Sequence, residues 1–248
     1  MAVNESLKGL KVLVTRPQQQ AKKLSEMILT SGGQVISFPV IDIVPIDMKT
    51  WPQCDLAKQD MIIFVSRNAV SNFVGTLTSH LAEQIQLVSV GAGSAASMHA
   101  HGLRVDIQPD QSIGSEGLLL MPEFDKVAGK NVLIIRGKGG RELLADTLVE
   151  RGATVKYLEV YVRALPKPSV EQCALALTSD CIVCTSVEGV KNLSLLLQKG
   201  LKTLLDKPML VVSERIKNYA QTLGFQRIIV TSNVSDDAVL EQLINMEI

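Results

Sequence analysis

The chain has 248 residues, 46% of them hydrophobic, enough to build the core of one large domain or two small ones. Its 25 Lys and Arg balance 25 Asp and Glu, so no global field points to nucleic acid or a membrane surface, and any basic site must be local. The start, Met1-Ala2-Val3-Asn4-Glu5-Ser6, lacks the basic flank and apolar stretch of a secretory leader, and no apolar run approaches the roughly 18 residues of a membrane-crossing helix, so a cytoplasmic protein is expected.

In chain order, β-branched runs predict strands over residues 11–15, 34–43, 61–66, 87–90, 104–107, 131–135, 154–163, 181–185, 209–212 and 227–231. Segments of helical period fill the gaps. The first spans about 18–30, where Ala21, Leu24, Met27 and Ile28 form one apolar stripe and Gly32 or Gly33 supplies a left-handed stop. A counterpart over about 141–150 carries Leu144, Thr147 and Leu148 and stops at Gly152. This alternation is the pattern of βαβ units feeding a mostly parallel sheet.

The elements also repeat. Val12-Leu13-Val14-Thr15-Arg16 recurs as Val132-Leu133-Ile134-Ile135-Arg136, and Ile62-Ile63-Phe64-Val65-Ser66 with Asn72 recurs as Ile182-Val183-Cys184-Thr185-Ser186 with Asn192, each 120 positions on. Two similar halves predict two similar lobes with a cleft. The second strand of each repeat exceeds the roughly 5 to 6 residues of a typical strand, and Pro39 and Pro45 bar the first of the pair from a central ladder position. Both segments are long enough to leave one lobe and enter the other.

Cys54, Cys173, Cys181 and Cys184 are too sparse for a disulfide framework. Cys181 and Cys184 have CxxC spacing, but within an apolar strand and without a second Cys or His pair for zinc, so they are read as buried thiols. His80, His99 and His101 form no ligand or catalytic pattern.

Ligands of open α/β sheets bind beyond the carboxyl ends of strands, where helix N-termini present free N–H groups. The residues there are Thr15-Arg16-Pro17, Ser66-Arg67-Asn68, Gly91-Ala92-Gly93-Ser94, Arg136-Gly137-Lys138-Gly139-Gly140-Arg141, Thr185-Ser186 and Ser213-Glu214-Arg215. Each alone is an ordinary N-cap or a solvated loop cation. Together, Arg16, Arg67, Arg136, Lys138, Arg141 and Arg215 put six cations on one rim of a chain with zero net charge, which predicts a polyanionic ligand. A nucleotide is disfavoured, because Lys138 is followed by Gly139 rather than Ser or Thr and the 91–94 turn lacks the third glycine of a dinucleotide fingerprint. No GxSxG elbow, HExxH motif or Cys/His pair supports covalent or metal-assisted catalysis.

In order and spacing, Val12-Leu13-Val14-Thr15-Arg16-Pro17, Phe38-Pro39-Val40-Ile41, Ile63-Phe64-Val65-Ser66-Arg67-Asn68-Ala69-Val70, Val90-Gly91-Ala92-Gly93-Ser94-Ala95, Ser115-Glu116-Gly117-Leu118, Arg136 to Leu143, Tyr161 within Glu159-Val160-Tyr161-Val162-Arg163, and Thr185-Ser186 resemble the uroporphyrinogen-III synthase family across almost the whole chain. The resemblance implies two flavodoxin-like α/β lobes joined by a two-stranded ladder: residues 1–38 and 166–248 in one, 46–157 in the other, and 39–45 and 158–165 as inter-lobe strands. The repeat alone would divide the chain near residue 120.

The implied activity is that of a cofactor-free, metal-free, monomeric lyase of heme biosynthesis. Its substrate is hydroxymethylbilane, a linear tetrapyrrole with eight carboxylates, handed over from hydroxymethylbilane synthase. It loses its hydroxyl as water and closes through a spiro intermediate to uroporphyrinogen III with ring D inverted. Unaided closure gives the uninverted isomer, so catalysis is chiefly orientation.

Tyr161 matches the family's candidate acid, and with a phenol pKa near 10 its contribution is expected to be a hydrogen bond to the departing hydroxyl. Ser66, Ser94, Thr185 and Ser186 align with cleft hydroxyls that would hold substrate carboxylates, together with Arg16, Arg67, Arg136, Gly137, Lys138, Arg141 and Arg215. Ser213 lies in a turn where many relatives have glycine, and Glu214 beside it must point away from an anionic substrate. The alternative is a non-catalytic two-lobed protein that binds a small anion; the absence of a leader and of a helix-turn-helix head argues against its two familiar forms.

Overall fold

A computed structural model describes residues 6–75, 81–109 and 114–246; residues 1–5 and His80 lie outside them. The elements run β1 (Lys11–Val14), α1 (Gln18–Thr30), β2 (Gln34–Ser37), β3 (Asp42–Pro45), β4 (Met61–Phe64), α2 (Arg67–Val74), β5 (Gln86–Ser89), α3 (Ala92–Ala100), α4 (Ser115–Leu119), β6 (Asn131–Gly137) and α5 (Leu143–Glu150). They continue with β7 (Thr154–Ala164), α6 (Val170–Leu177), β8 (Cys181–Val183), α7 (Val187–Leu196), α8 (Lys202–Leu205), β9 (Met209–Val211), α9 (Glu214–Thr222), β10 (Ile228–Val230) and α10 (Asp236–Ile244).

The chain divides into two compact units, one comprising the residues up to Asp42 and from Ala164 onward, the other Ile43–Arg163. Unit 1 holds a sheet of order β10-β9-β8-β1-β2, with every neighbouring pair parallel. Counted within the unit this is the 2-1-3-4-5 order of flavodoxin-like sheets. Helices on both faces explain why its strands read as continuous apolar runs: Leu13, Ile182 and Val211 enter one buried cluster, and Val12, Val14, Cys181, Val183 and Leu210 enter the other.

Unit 2 has the order β3-β7-β6-β4-β5, and its β7-β6-β4-β5 portion is parallel throughout. Met61, Ile63, Val132 and Ile134 face one core, and Ile62, Phe64, Leu133 and Ile135 the other. In the sequence repeat, β6 and β7 correspond to β1 and β2, and β4 and β5 to β8 and β9. Four strands of each sheet, β9-β8-β1-β2 and β5-β4-β6-β7, therefore share one order, with the fifth strands β10 and β3 at opposite edges, and each sheet takes its strands from both repeats.

Two predicted strands differ from the structure. The run over 34–43 breaks after Ser37, because Pro39 has no N–H to give a ladder. Phe38 and Val40 instead sink into the unit 1 core, and the Val40 carbonyl accepts from Asn192 Nδ2 at 2.9 Å. The run over 104–107 forms only an isolated bridge, Val88 to Ile107. Here the Asp106 carboxylate takes the Leu87 N–H at 2.7 Å, and Arg104 turns onto the carbonyls of Ala82 and Glu83 at 3.1 and 3.0 Å. Helix α1 has the predicted bounds, and the chain leaves it through Gly32 at φ +78°.

Candidate functional site

A sheet of this order opens a crevice where its strand connections reverse direction. In unit 2 that point lies between β4 and β6, whose carboxyl ends lead into Ser66 and into the loop after Gly137. A cavity of about 190 Å³ opens there, lined by Ser66, Arg136, Gly137, Arg141, Tyr157 and Tyr161, among others.

Tyr161 reaches this cavity because β7 carries an irregularity. Arg136 pairs with Glu159, but the next residue, Gly137, pairs with Tyr161, so one residue of β7 is left over. Val160 and Tyr161 consequently enter the same buried cluster rather than alternating. The Tyr161 ring is 1% exposed, and its hydroxyl lies 3.2 Å from Ser66 Oγ. Ser66 in turn caps α2, accepting the Ala69 N–H at 3.1 Å. The ring rests on the backbone of Gly137, where a Cβ would stand 2.6 Å from its Cε2 and Cζ. Lys138 N–H donates to the Tyr161 carbonyl at 2.8 Å and fixes the strand edge. Arg163 stands over the tyrosine face, 5.9 Å from the ring centre.

Arg136 forms the base of the next loop and is 5% exposed. Its guanidinium donates to the carbonyls of Gly137, at 3.3 Å, and Gly139, and to Glu142 Oε1 at 3.1 Å, and it stacks 4.4 Å over Tyr157. Glu142 Oε2 accepts the Tyr157 hydroxyl. That hydroxyl bond, followed by Arg136, holds Glu142 below the usual carboxylate range, while burial and then Glu142 push Tyr157 up to about 12. Gly139 and Gly140 adopt φ of +70° and +114°, which only glycine takes without strain, and the Gly139 N–H donates to Glu159 at 3.1 Å.

These contacts correct the picture of six free rim cations. Arg136 is bonded to Glu142, Arg141 to Glu116, and, in unit 1, Arg16 to Asp236. Arg67, Lys138 and Arg215 are exposed and make no ion pair among the described residues. Of the predicted site residues, Ser66, Arg136, Gly137, Arg141 and Tyr161 line the one cavity, with Lys138 on its loop. Arg67 and the buried Ser94 occupy the first turns of α2 and α3 in the same unit, and the Arg67 side chain runs beside Gly93.

Arg16, Thr185, Ser186, Ser213 and Arg215 belong to unit 1. Arg16, Thr185 and Ser186 flank its own reversal point between β1 and β8, where Ser186 caps α7 through the Gly189 N–H at 2.9 Å. Ser213 caps α9 at 3.4 Å, and Glu214 pairs with Lys217.

Tyr157, Glu142, Arg163 and Ser115 escaped prediction. Tyr157 and Arg163 share one long strand with Tyr161, and Glu142 follows the glycine loop, but Tyr157 and Tyr161 enter opposite cores of unit 2, which alternation along the strand does not predict. A larger cavity of about 600 Å³, lined by Gln53, Lys58, Asn131, Thr154 and Lys156, lies where β6 and β7 begin, at the end of the sheet opposite to the one such folds use for ligands. Cys181 and Cys184 are buried free thiols, and burial pushes the Cys181 thiol up to about 12. Among the described residues no group of three or more His, Cys, Asp or Glu is placed to hold a metal, and no helix is long and apolar enough to cross a membrane.

The family model described as uroporphyrinogen-III synthase HemD matches residues 22–241. The uroporphyrinogen-III synthase of Escherichia coli K12 is 33% identical over 247 residues, covering 94% of this chain and 100% of that protein. The enzyme of the same name from Salmonella typhimurium is 32% identical, with the same coverage. Among solved structures, the uroporphyrinogen-III synthetase of Helicobacter pylori 26695 superposes with a TM-score of 0.68 at 17% identity, covering 96% of this chain and 100% of that one, a likeness of fold.

Proposed function

The chain belongs to the uroporphyrinogen-III synthase family, and on that premise we propose that the unit 2 cavity is where hydroxymethylbilane is bound and its ring closure directed. The comparisons favour this lyase of heme biosynthesis over a non-catalytic anion binder. The observation that carries the site is the Tyr161 hydroxyl, buried on a glycine floor, 3.2 Å from Ser66 and beside the arginine-bearing 136–141 loop.

In this reading the hydroxymethyl C–O bond breaks while the Tyr161 hydroxyl donates a hydrogen bond to the departing oxygen, which leaves as water. The freed carbon bonds to the substituted α-carbon of ring D to give the spiro intermediate. The bond from that α-carbon to its old methylene bridge breaks and re-forms at the free α-carbon, and the proton lost there balances the one carried off in water. At about 190 Å³ the cavity is smaller than the roughly 300–1,000 Å³ pockets that enclose drug-sized ligands, so it takes one end of the tetrapyrrole with its carboxylates rather than all of it. Lys138 and Arg67, which have no ion partner among the described residues, are the cations available to those carboxylates; Arg141 becomes available when Glu116 gives way. Arg136 acts as scaffold. Ser94, Thr185, Ser186, Ser213, Arg16 and Arg215 remain proposed substrate contacts on the strength of the family pattern. A substrate that closes unaided to the wrong isomer favours direct handover from hydroxymethylbilane synthase, in the cytoplasm.

Tyr161→Phe keeps the buried ring and removes only the hydroxyl, so kcat is expected to fall about tenfold with KM within about twofold. An unchanged kcat would remove the phenol from the chemistry. Replacing Lys138 and Arg141 together with Ala is expected to raise KM and to flatten its dependence on ionic strength, because two screened attractions are lost. KM measured between low and high salt checks this, and an unaltered slope would exclude the pair from substrate binding.

A further inference from the structure

We propose that Glu116 is an internal stand-in for a substrate carboxylate, occupying Arg141 until the substrate displaces it and thereby setting substrate affinity. The inference rests on the synthase reading and adds to it a competing residue that lies within the chain.

The two arginines of the 136–141 loop are held in different ways. Arg136 is buried, stacked on Tyr157, bonded to two backbone carbonyls and paired with a carboxylate that is itself held by the Tyr157 hydroxyl. An incoming anion would have to break all of these contacts to take it. Among the described residues Arg141 has one ion partner, the Glu116 carboxylate, and the two side chains are 72% and 51% exposed. An ion pair so open to water contributes little and exchanges readily. A guanidinium binds carboxylates in general through the same charge-assisted N–H bonds, so an acetate or propionate arm can take the place of Glu116.

Position supports the exchange. Glu116 stands at the start of α4 next to Ser115, and Gly114, Ser115 and Arg141 all line the cavity. Gly114, at φ +95°, turns the chain so that the Glu116 carboxylate lies over it, 3.3 Å from where a Cβ would be. Its own backbone N–H, and then Arg141, hold the Glu116 carboxyl below the usual range, so it is ionised at neutral pH and ready to compete.

The test is a double-mutant cycle on KM for hydroxymethylbilane generated in situ, using the full chain as wild type, Glu116→Gln, Arg141→Ala and the double variant. Gln preserves the shape of the side chain, so folding is not at issue. Glu116→Gln is expected to lower KM about two- to fivefold, the worth of an exposed pair, with the larger change at low salt. In the Arg141→Ala background the same substitution is expected to leave KM where it was, because there is no longer a cation to free. A KM that is unchanged or raised by Glu116→Gln overturns the proposal. An equal fall in the Arg141→Ala background overturns it too, since it would report only the removal of a like charge near an anionic substrate. A wild-type chain that forms only the type I isomer overturns the synthase reading and this proposal with it, whereas type III product with an unresponsive KM overturns the proposal alone.

Discussion

Gly137→Ala is expected to cut kcat by about two orders of magnitude while the protein remains folded. A methyl group at that position would lie 2.6 Å from two ring carbons of Tyr161, closer than real side-chain contacts allow. The obstacle is no flexible side-chain tip: the ring is fully buried in a cluster with Phe64, Leu158 and Val160. The strain must therefore move either the ring or the β6 edge that carries the loop. Overpacking of this kind costs about 1–3 kcal/mol. Moving the ring forfeits the about tenfold contribution of the Tyr161 hydroxyl, and the accompanying shift of the 136–141 loop, misplacing the substrate by about 1 Å, supplies the rest of an about 10²-fold loss. Thermal melting and kcat measured together separate the two effects. In Tyr161→Phe the rate loss comes from chemistry alone, so combining the substitutions should give less than the product of their separate effects. A Gly137→Ala variant with wild-type kcat would show that the ring's position is irrelevant to turnover.

The second large effect is expected from Arg136→Leu. This change leaves the carbonyls of Gly137 and Gly139 without their donor, removes the partner of Glu142 and empties the face of Tyr157. Bonds to a charged group are worth about 1.5–3 kcal/mol, which for a chain of this size lowers the melting temperature by about 5 °C or more. Lysine should not rescue it, since a point charge cannot serve two carbonyls, a carboxylate and an aromatic face at once.

The pH dependence of stability follows from the same cluster. Glu142 titrates below its ordinary range, so its contribution is present above that range and lost as pH falls through its folded value. Tyr157 is raised to about 12, so its contribution is present below pH 10 and lost as pH rises through about 12. Across neutral pH both contributions are present, and the wild type should show a stability plateau there. Arg136→Leu is expected to weaken the acid limb of that plateau, which melting curves taken between pH 3 and pH 7 would reveal.

Much of this organisation was legible in the residues because it rests on periodicity. Ala21, Leu24 and Ile28 are the buried positions of α1, at the spacing that predicts its helix. Four repeated strands recur in the same order in both sheets. Pattern failed where a single residue overrides it: Pro39 interrupts an apolar run that otherwise reads as one strand, and Asp106 spends a side chain on a strand N–H.

The candidate site was legible by element and not by contact. Placement after parallel strands picked out Ser66, Gly137 and Arg141, and the family resemblance added Tyr161; the four meet at one cavity. The positions of the charges could not be inferred in the same way. Glu116 and Glu142 lie 25 and 6 residues from the arginines they bind, and a helix and a glycine loop bring them there. Counting cations along the chain therefore overstated the free positive charge. The shift in β7 that turns Tyr161 toward Ser66 depends on one unpaired residue opposite the Arg136–Gly137 step, which alternation alone cannot predict.

The most direct test of the account generates hydroxymethylbilane in situ, adds the protein without any cofactor, and resolves the type I and type III uroporphyrins by chromatography after oxidation. Predominantly type III is expected from the wild type, with the type III share falling in Gly137→Ala as unaided closure overtakes the slowed enzyme. Only type I in the presence of folded wild-type protein would contradict it.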